Sequence, residues 1–222
     1  MKDRAVPRVL TWSMLVTGAI ALWGLDQRVF GVGAVFKVVT TLCLFPILGP
    51  LRTAMHRKVA VGLVFSVLGD AALLRSEPLW FKVGLGAFLV THLCYIAALQ
   101  PVAVRGLRPI VTACLVMVAT LCTLVLAYPR ASAAGVALPV AVYASVLSAT
   151  LVTASATAGG PMSKPGWVAL GALLFYLADM SIAIKTFVPS FALPHPVLFT
   201  TGLYWIGQYL IVAAVRAGLK RR

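Results

Sequence analysis

The chain has 222 residues, of which 61% are hydrophobic and 11% charged, with a mean hydropathy of +1.00. A soluble domain has about a quarter of its residues charged, so the composition excludes an ordinary soluble fold and points to an integral membrane protein. The net charge is +14, but the basic residues lie in short loops and at the termini, where they set orientation and meet anionic headgroups. No basic groove with interleaved aromatics is present, so nucleic acid is not an expected partner.

Apolar runs of about 20 residues, the length that crosses roughly 30 Å of hydrocarbon, recur along the chain. They predict an all-α integral membrane protein: a single transmembrane domain over 1–222 with spans at 9–25, 29–48, 58–75, 79–99, 108–127, 136–157, 166–187 and 196–215. Helices are required because lipid cannot satisfy open backbone groups. The first run follows Lys2, Arg4 and Arg8, as in a signal peptide, but no small-x-small cleavage site follows, so it reads as a retained helix. The separators carry breakers: Asp26-Gln27-Arg28, Gly49-Pro50, Glu77-Pro78, Gln100-Pro101, Tyr128-Pro129-Arg130, Gly159-Gly160-Pro161 and Pro189 to Pro196. Trp80, Tyr128 and Trp167, near span ends, read as an interfacial aromatic belt. Cys43, Cys94, Cys114 and Cys122 lie within apolar runs and imply neither disulfide nor metal.

Polar residues inside the spans stand out against this background. The second span holds Lys37. The third ends in Gly62-Leu63-Val64-Phe65-Ser66-Val67-Leu68-Gly69-Asp70, which sets a carboxylate in an apolar helix with Ser66 one turn before it. The fourth holds His92 and Tyr95, the sixth Tyr143. The seventh repeats the third in Gly171-Ala172-Leu173-Leu174-Phe175-Tyr176-Leu177-Ala178-Asp179, and the eighth holds Tyr204 and Gln208 on one face. A charged side chain in hydrocarbon costs several kcal/mol and needs a partner, a proton or a task. Lys37 is the available counter-ion. One aspartate paired with it would stay ionised while the other keeps a proton, the split that makes an acid and a base from two carboxyls. The bland reading is that the same groups only lock helices together.

With eight spans the two termini and alternate loops share one side. That side holds Arg8, Arg52, Arg57, Lys58, Arg105, Arg108, Lys164 and Arg216 with the terminal Lys2, Arg4, Lys220, Arg221 and Arg222. The opposite side has Arg28, Arg75, Lys82, Arg130 and Lys185, so both termini are expected in the cytoplasm, with the bacterial inner membrane as the expected location. Counted from the outer span ends, Asp70 lies about 8 Å deep, Tyr143 about 10 Å, and Lys37, Asp179 and Tyr204 about 12 Å. These five therefore share one layer. His92, about 20 Å from its span end, is expected below that layer and out of direct contact with the aspartates. Tyr95 follows Asp70 as Tyr204 follows Asp179, by 25 residues in each case, which suggests two parallel four-helix repeats.

No HExxH, GxSxG or P-loop occurs, and three good zinc ligands cannot be assembled. No metal or cofactor is expected, which leaves aspartates as the acid–base groups.

These residues also carry a resemblance. The run Gly62 to Asp70, Phe88 to His92 with Tyr95, Gly171 to Phe175 with Ala178-Asp179, Tyr204 with Gln208, and Lys37 in the second span together resemble the YhhN-like lysoplasmalogenase family of multi-pass membrane proteins. Three positions depart from that pattern: Val38 where Pro often follows the lysine, Trp205 where a second Tyr is frequent, and no Met after Tyr143. The resemblance implies hydrolysis of the vinyl ether of a membrane lysophospholipid, lysoplasmenyl-ethanolamine or -choline, to fatty aldehyde and glycerophospho-ethanolamine or -choline, with Asp70 and Asp179 as the catalytic residues. Such cleavage needs one acid to protonate the β-carbon and one carboxylate to stabilise the oxocarbenium ion and activate water, as in glycoside cleavage by two carboxyls. Asp179 is then expected as the acid and Asp70, near Lys37 or Ser66, as the ionised partner, or the reverse. The tyrosines and Gln208 would bind headgroup or water. A proton-coupled transporter using the same aspartates is the main alternative. A purely structural membrane protein and a hydrolase of another lipid also remain open.

Overall fold

Backbone breakers decide where this apolar chain turns, and the computed structural model describes residues 6–75, 77–188, 190–191 and 195–219. The helices are α1 (Arg8–Asp26), α2 (Phe30–Leu42), α3 (Leu44–Leu48), α4 (Ala54–Ala72), α5 (Pro78–Leu99), α6 (Leu107–Ala133), α7 (Ala137–Ala156), α8 (Pro165–Phe187) and α9 (Leu203–Ala217). Pro78 and Pro165 occupy the first turns of α5 and α8, where the missing N–H costs nothing. Thr53 caps α4, its hydroxyl accepting from the His56 amide at 3.3 Å. α2 and α3 form one predicted span broken at Cys43. Pro46 has no N–H to offer the Leu42 carbonyl, so the helix restarts there. A π-helical turn over Leu198–Gly202 leads into α9. Among the described residues the only extended pairing is an isolated bridge between Met162 and Leu219.

Seven stretches are long and apolar enough to cross a membrane: α1, α2 with α3, α5, α6, α7, α8 and α9 with its π turn. The remaining predicted span is α4, 19 residues long and carrying Arg57, Lys58 and Asp70. The fold is that of an all-α, multi-pass membrane protein. One boundary differs from the sequence reading: Tyr128-Pro129-Arg130 lies inside α6, and the turn comes at Gly135, whose φ of 66° ends the helix instead. The basic residues Lys2, Arg4, Lys220, Arg221 and Arg222, with Pro189 of the last separator, lie outside the described residues.

Packing follows small residues. A Cβ on Gly171 would stand 2.6 Å from the Gly207 carbonyl oxygen, and one on Gly207 2.6 Å from that of Gly171, so α8 and α9 meet backbone to backbone. Gly24 and Gly33 do the same for α1 and α2. Arg216 reaches from α9 to the carbonyls of Pro46 and Ile47 at 3.1 and 3.0 Å, satisfying the frayed end of α3. Pairing is alike in the two halves: α1 lies on α2 and α4 on α5, while α6 lies on α7 and α8 on α9. Across the halves, α5 packs on α7 as α9 packs on α3. A four-span unit repeated in one orientation would make these contacts.

Candidate active site

The apolar helices bury two polar clusters, each built round one of the aspartates on α4 and α8. Asp70 is 1% exposed. Its Oδ1 lies 3.2 Å from Lys37 Nζ on α2, and its Oδ2 accepts from Thr41 at 2.6 Å and from Tyr204 on α9 at 3.0 Å. The carboxylate therefore has a cation and two hydroxyl donors, the satisfied state a buried charge requires. Thr41 in turn accepts from the indole N–H of Trp205 at 3.2 Å.

From this cluster a chain of hydrogen bonds continues through the bundle. Gln208 donates to Ser66 at 2.8 Å and to the Tyr204 hydroxyl at 3.4 Å, and accepts from the Tyr95 hydroxyl. Ser66 also meets Thr91 at 3.2 Å. Lys37, Asp70, Ser66, Tyr95, Tyr204 and Gln208 thus form one network tying α2, α4, α5 and α9. Ser66 makes its hydrogen bonds with Gln208 and Thr91 rather than with Asp70.

Asp179 makes the second cluster. Tyr143 on α7 donates to its Oδ2, and His92 Nε2 on α5 lies 3.4 Å from the same oxygen. Both contacts fall on Oδ2, which leaves Oδ1 for the cavity beside it. That cavity is lined mainly by apolar side chains of α5 to α8 with Leu73, together with Thr120, Thr123, Asp179 and Tyr143, and not by Asp70. His92 is fully buried and its Nδ1 has no hydrogen-bond partner. Among the described residues no three His, Cys, Asp or Glu side chains gather as a metal site would need.

The contact between His92 and Asp179 corrects the depth count. Side chains lean toward the N-terminus of their helix. With alternating spans α5 and α8 run in opposite directions, so His92 leans toward the layer of Asp179 and Asp179 leans back toward His92. The two aspartates, however, are not in contact. Phe175 stands between them, its ring 4.5 Å from that of His92 and 5.1 Å from that of Tyr204, and Phe88 packs edge-on to both Phe175 and Tyr204. The expected single layer is two half-sites flanking an aromatic wall.

Thr41 was not singled out from the sequence, although it lies four residues after Lys37 and so on its face, and Trp205 entered only as a departure from the family pattern. Phe88 and Phe175 entered only as pattern residues. An apolar ring in an apolar span carries no chemical signal until its neighbours are known.

The sequence model of the YhhN family matches residues 32–215. Curated relatives include human lysoplasmalogenase TMEM86A, 34% identical over 69% of this chain and 63% of its own length. Bovine lysoplasmalogenase TMEM86A is 29% identical over 92% of this chain and 87% of its own. A lysoplasmalogenase of Mycobacterium tuberculosis is 36% identical over 60% of this chain, a match that spans about half of that protein, 51%. No solved structure matches. The stretch matched by the family model takes in both aspartates and every hydrogen-bond partner in their two clusters, and the chain belongs to the YhhN family.

Proposed function

We propose that this chain hydrolyses the vinyl ether of lysoplasmalogens, releasing a fatty aldehyde and a glycerophospho-ethanolamine or -choline. The observation that carries the reading is a carboxyl group, Asp179, facing an apolar cavity inside the membrane with its second oxygen held by Tyr143 and His92. Apolar pockets with a few convergent polar groups are where lipid-like ligands bind, and the relatives named lysoplasmalogenase supply the substrate class.

In this scheme Asp179 carries the proton on Oδ1 and delivers it to the β-carbon of the vinyl ether. The double bond becomes a C–H bond and an oxocarbenium ion. The Asp179 carboxylate left behind lies beside that cation and accepts a proton from water as the water oxygen bonds to the cationic carbon. The resulting hemiacetal breaks its C–O bond to give aldehyde and glycerol hydroxyl, so one water is consumed and Asp179 ends protonated. Because the aromatic wall separates Asp70 from the cavity, Asp70 is the ionised, Lys37-paired member that fixes Tyr204 in that wall. Gln208, itself bonded to Tyr95 and Ser66, holds Tyr204 from the other side.

The orientation that accompanies this reading has both termini in the cytoplasm, because Arg52, Arg57, Lys58, Arg105, Arg108, Lys164 and Arg216 share one side. A bacterial inner membrane is the setting we take for it, in line with the mycobacterial relative. The test is aldehyde release from lysoplasmenyl-ethanolamine by purified protein in lipid nanodiscs. Asp179→Asn should abolish release while the protein stays folded. Proton-gradient-driven uptake into vesicles with no aldehyde would favour the transporter reading instead.

A further inference from the structure

The hollow beside Asp179 extends toward the helix ends. Phe187, which also lines it, lies eight residues beyond Asp179 on α8, roughly 12 Å along the helix. There Phe187 packs in one apolar cluster with Ala127 and Ala131 of α6 and with Phe81 of α5, the two phenyl rings edge to face with centroids 6.2 Å apart. On the proposed orientation this is the outer end of the bundle. Two cations stand beside the cluster. Arg130 follows Thr123, a lining residue, by seven positions, so the two lie on one face of α6. Lys82 precedes Leu85, another lining residue, by three and so borders the lining face of α5. Both are exposed, and among the described residues neither belongs to an ion pair. Side chains lean toward the N-terminus of their helix. Arg130, near the end of α6, therefore leans back toward the level of Asp179, whereas Lys82, near the start of α5, leans outward to the surface. Lys185, two residues before Phe187, falls on the opposite side of α8.

We propose that Arg130 and Lys82 bind the phosphodiester of the lysophospholipid whose vinyl ether lies at Asp179. The identity of the lipid rests on the hydrolase reading; the position of its phosphate rests on where these two cations stand. About six bonds separate the ether carbon from phosphorus, roughly 7 Å when extended. An arginine side chain that leans inward covers the rest of the roughly 12 Å between the level of Asp179 and the helix ends. Its guanidinium offers two parallel N–H groups to two phosphate oxygens, and the ammonium of Lys82 adds charge at the wetter edge. The headgroup then sits at the surface, and the tail is left for the deeper half of the bilayer. An exposed pairing of this kind is weakened by salt. Cations that serve only the interface would act alike wherever they stand, so Lys185 and Arg28, exposed on the same side of the membrane but off the hollow, are the controls.

The experiment measures binding to purified protein in uncharged maltoside micelles, where no phospholipid competes. The probes are an alkyl-ether lysophosphoethanolamine, which has no vinyl ether to cleave, and the alkylglycerol with the same tail and no phosphate. Arg130→Gln and Lys82→Gln should each raise the Kd of the phosphate-bearing probe about tenfold, the scale of one hydrogen bond to a charged group, and leave the alkylglycerol unchanged. Lys185→Gln and Arg28→Gln should change neither. Thermal melting selects variants that fold; if Arg130→Gln does not, Lys82→Gln carries the test. Equal losses for both probes, no loss in the folded variants, or the same loss in Lys185→Gln overturns the proposal. Glycerophospho-ethanolamine should displace the phosphate-bearing probe better than inorganic phosphate does; displacement by inorganic phosphate at equal concentration would make this a site for free phosphate and overturn the lipid assignment. The predicted losses without aldehyde release from lysoplasmenyl-ethanolamine would leave the phosphate subsite standing and refute the hydrolase reading alone.

Discussion

Lys37 and Asp70 form a buried ion pair whose worth is measurable by a double-mutant cycle. Lys37→Met leaves the Asp70 carboxylate 1% exposed and opposed only by the hydroxyls of Thr41 and Tyr204. Loss of one member of a buried pair costs about 3–5 kcal/mol. The lysine side chain is 12% exposed, which draws the expectation to about 3 kcal/mol, the low end of that range. Asp70→Asn strands the ammonium instead. That group can swing toward the interface on its flexible stem, so the cost is smaller, about 2 kcal/mol. The double variant leaves no charge to bury, and the Asn carbonyl still accepts from Thr41 and Tyr204. Its destabilisation should therefore be less than the sum of the singles by about 2 kcal/mol. Reversible denaturant unfolding in mixed micelles, followed by tryptophan fluorescence, gives the four free energies. Additivity within about 0.5 kcal/mol would refute the pairing and, with it, the assignment of Asp70 as the ionised aspartate.

Three further outcomes follow from the same contacts. Tyr143→Phe removes the hydroxyl that donates to Asp179 Oδ2 and should lower kcat for aldehyde release by about tenfold or more, with KM little changed; an unaltered kcat removes Tyr143 from the site. Gly171→Ala forces a Cβ to within 2.6 Å of the Gly207 carbonyl and should destabilise by roughly 1–3 kcal/mol, read as a lowered melting temperature, with Gly207→Ala behaving alike. Trp205→Phe removes the indole donor to Thr41 and should cost about 1 kcal/mol, a figure the same unfolding assay checks.

Much of this arrangement is legible in the sequence because charge is scarce in an apolar chain. Lys37, Asp70 and Asp179 stand out wherever the helix boundaries fall, and spacing alone put Tyr204 and Gln208 on one face. Depth was less legible. Counting residues from a span end ignores the lean of side chains toward helix N-termini, and that lean brings His92 to Asp179. Partners of ordinary type were also hidden. Thr41 looks like any small hydroxyl in a span, since such groups commonly bond back to their own helix, as Thr40 does to the Phe36 carbonyl at 2.7 Å. The wall of Phe88 and Phe175 and the hollow beside Asp179 depend on which apolar faces meet. Hydropathy carries little information about that choice, because most faces of these helices are apolar.

The central claim is that Asp179 does acid–base work on a vinyl ether. Its most direct test is aldehyde release by purified wild-type and Asp179→Asn protein, supplied with lysoplasmenyl-ethanolamine and with its ester and alkyl-ether analogues. The account predicts aldehyde from the vinyl ether alone, and none from the folded Asp179→Asn variant. Undiminished release by that variant, or no release by the wild type, would contradict it.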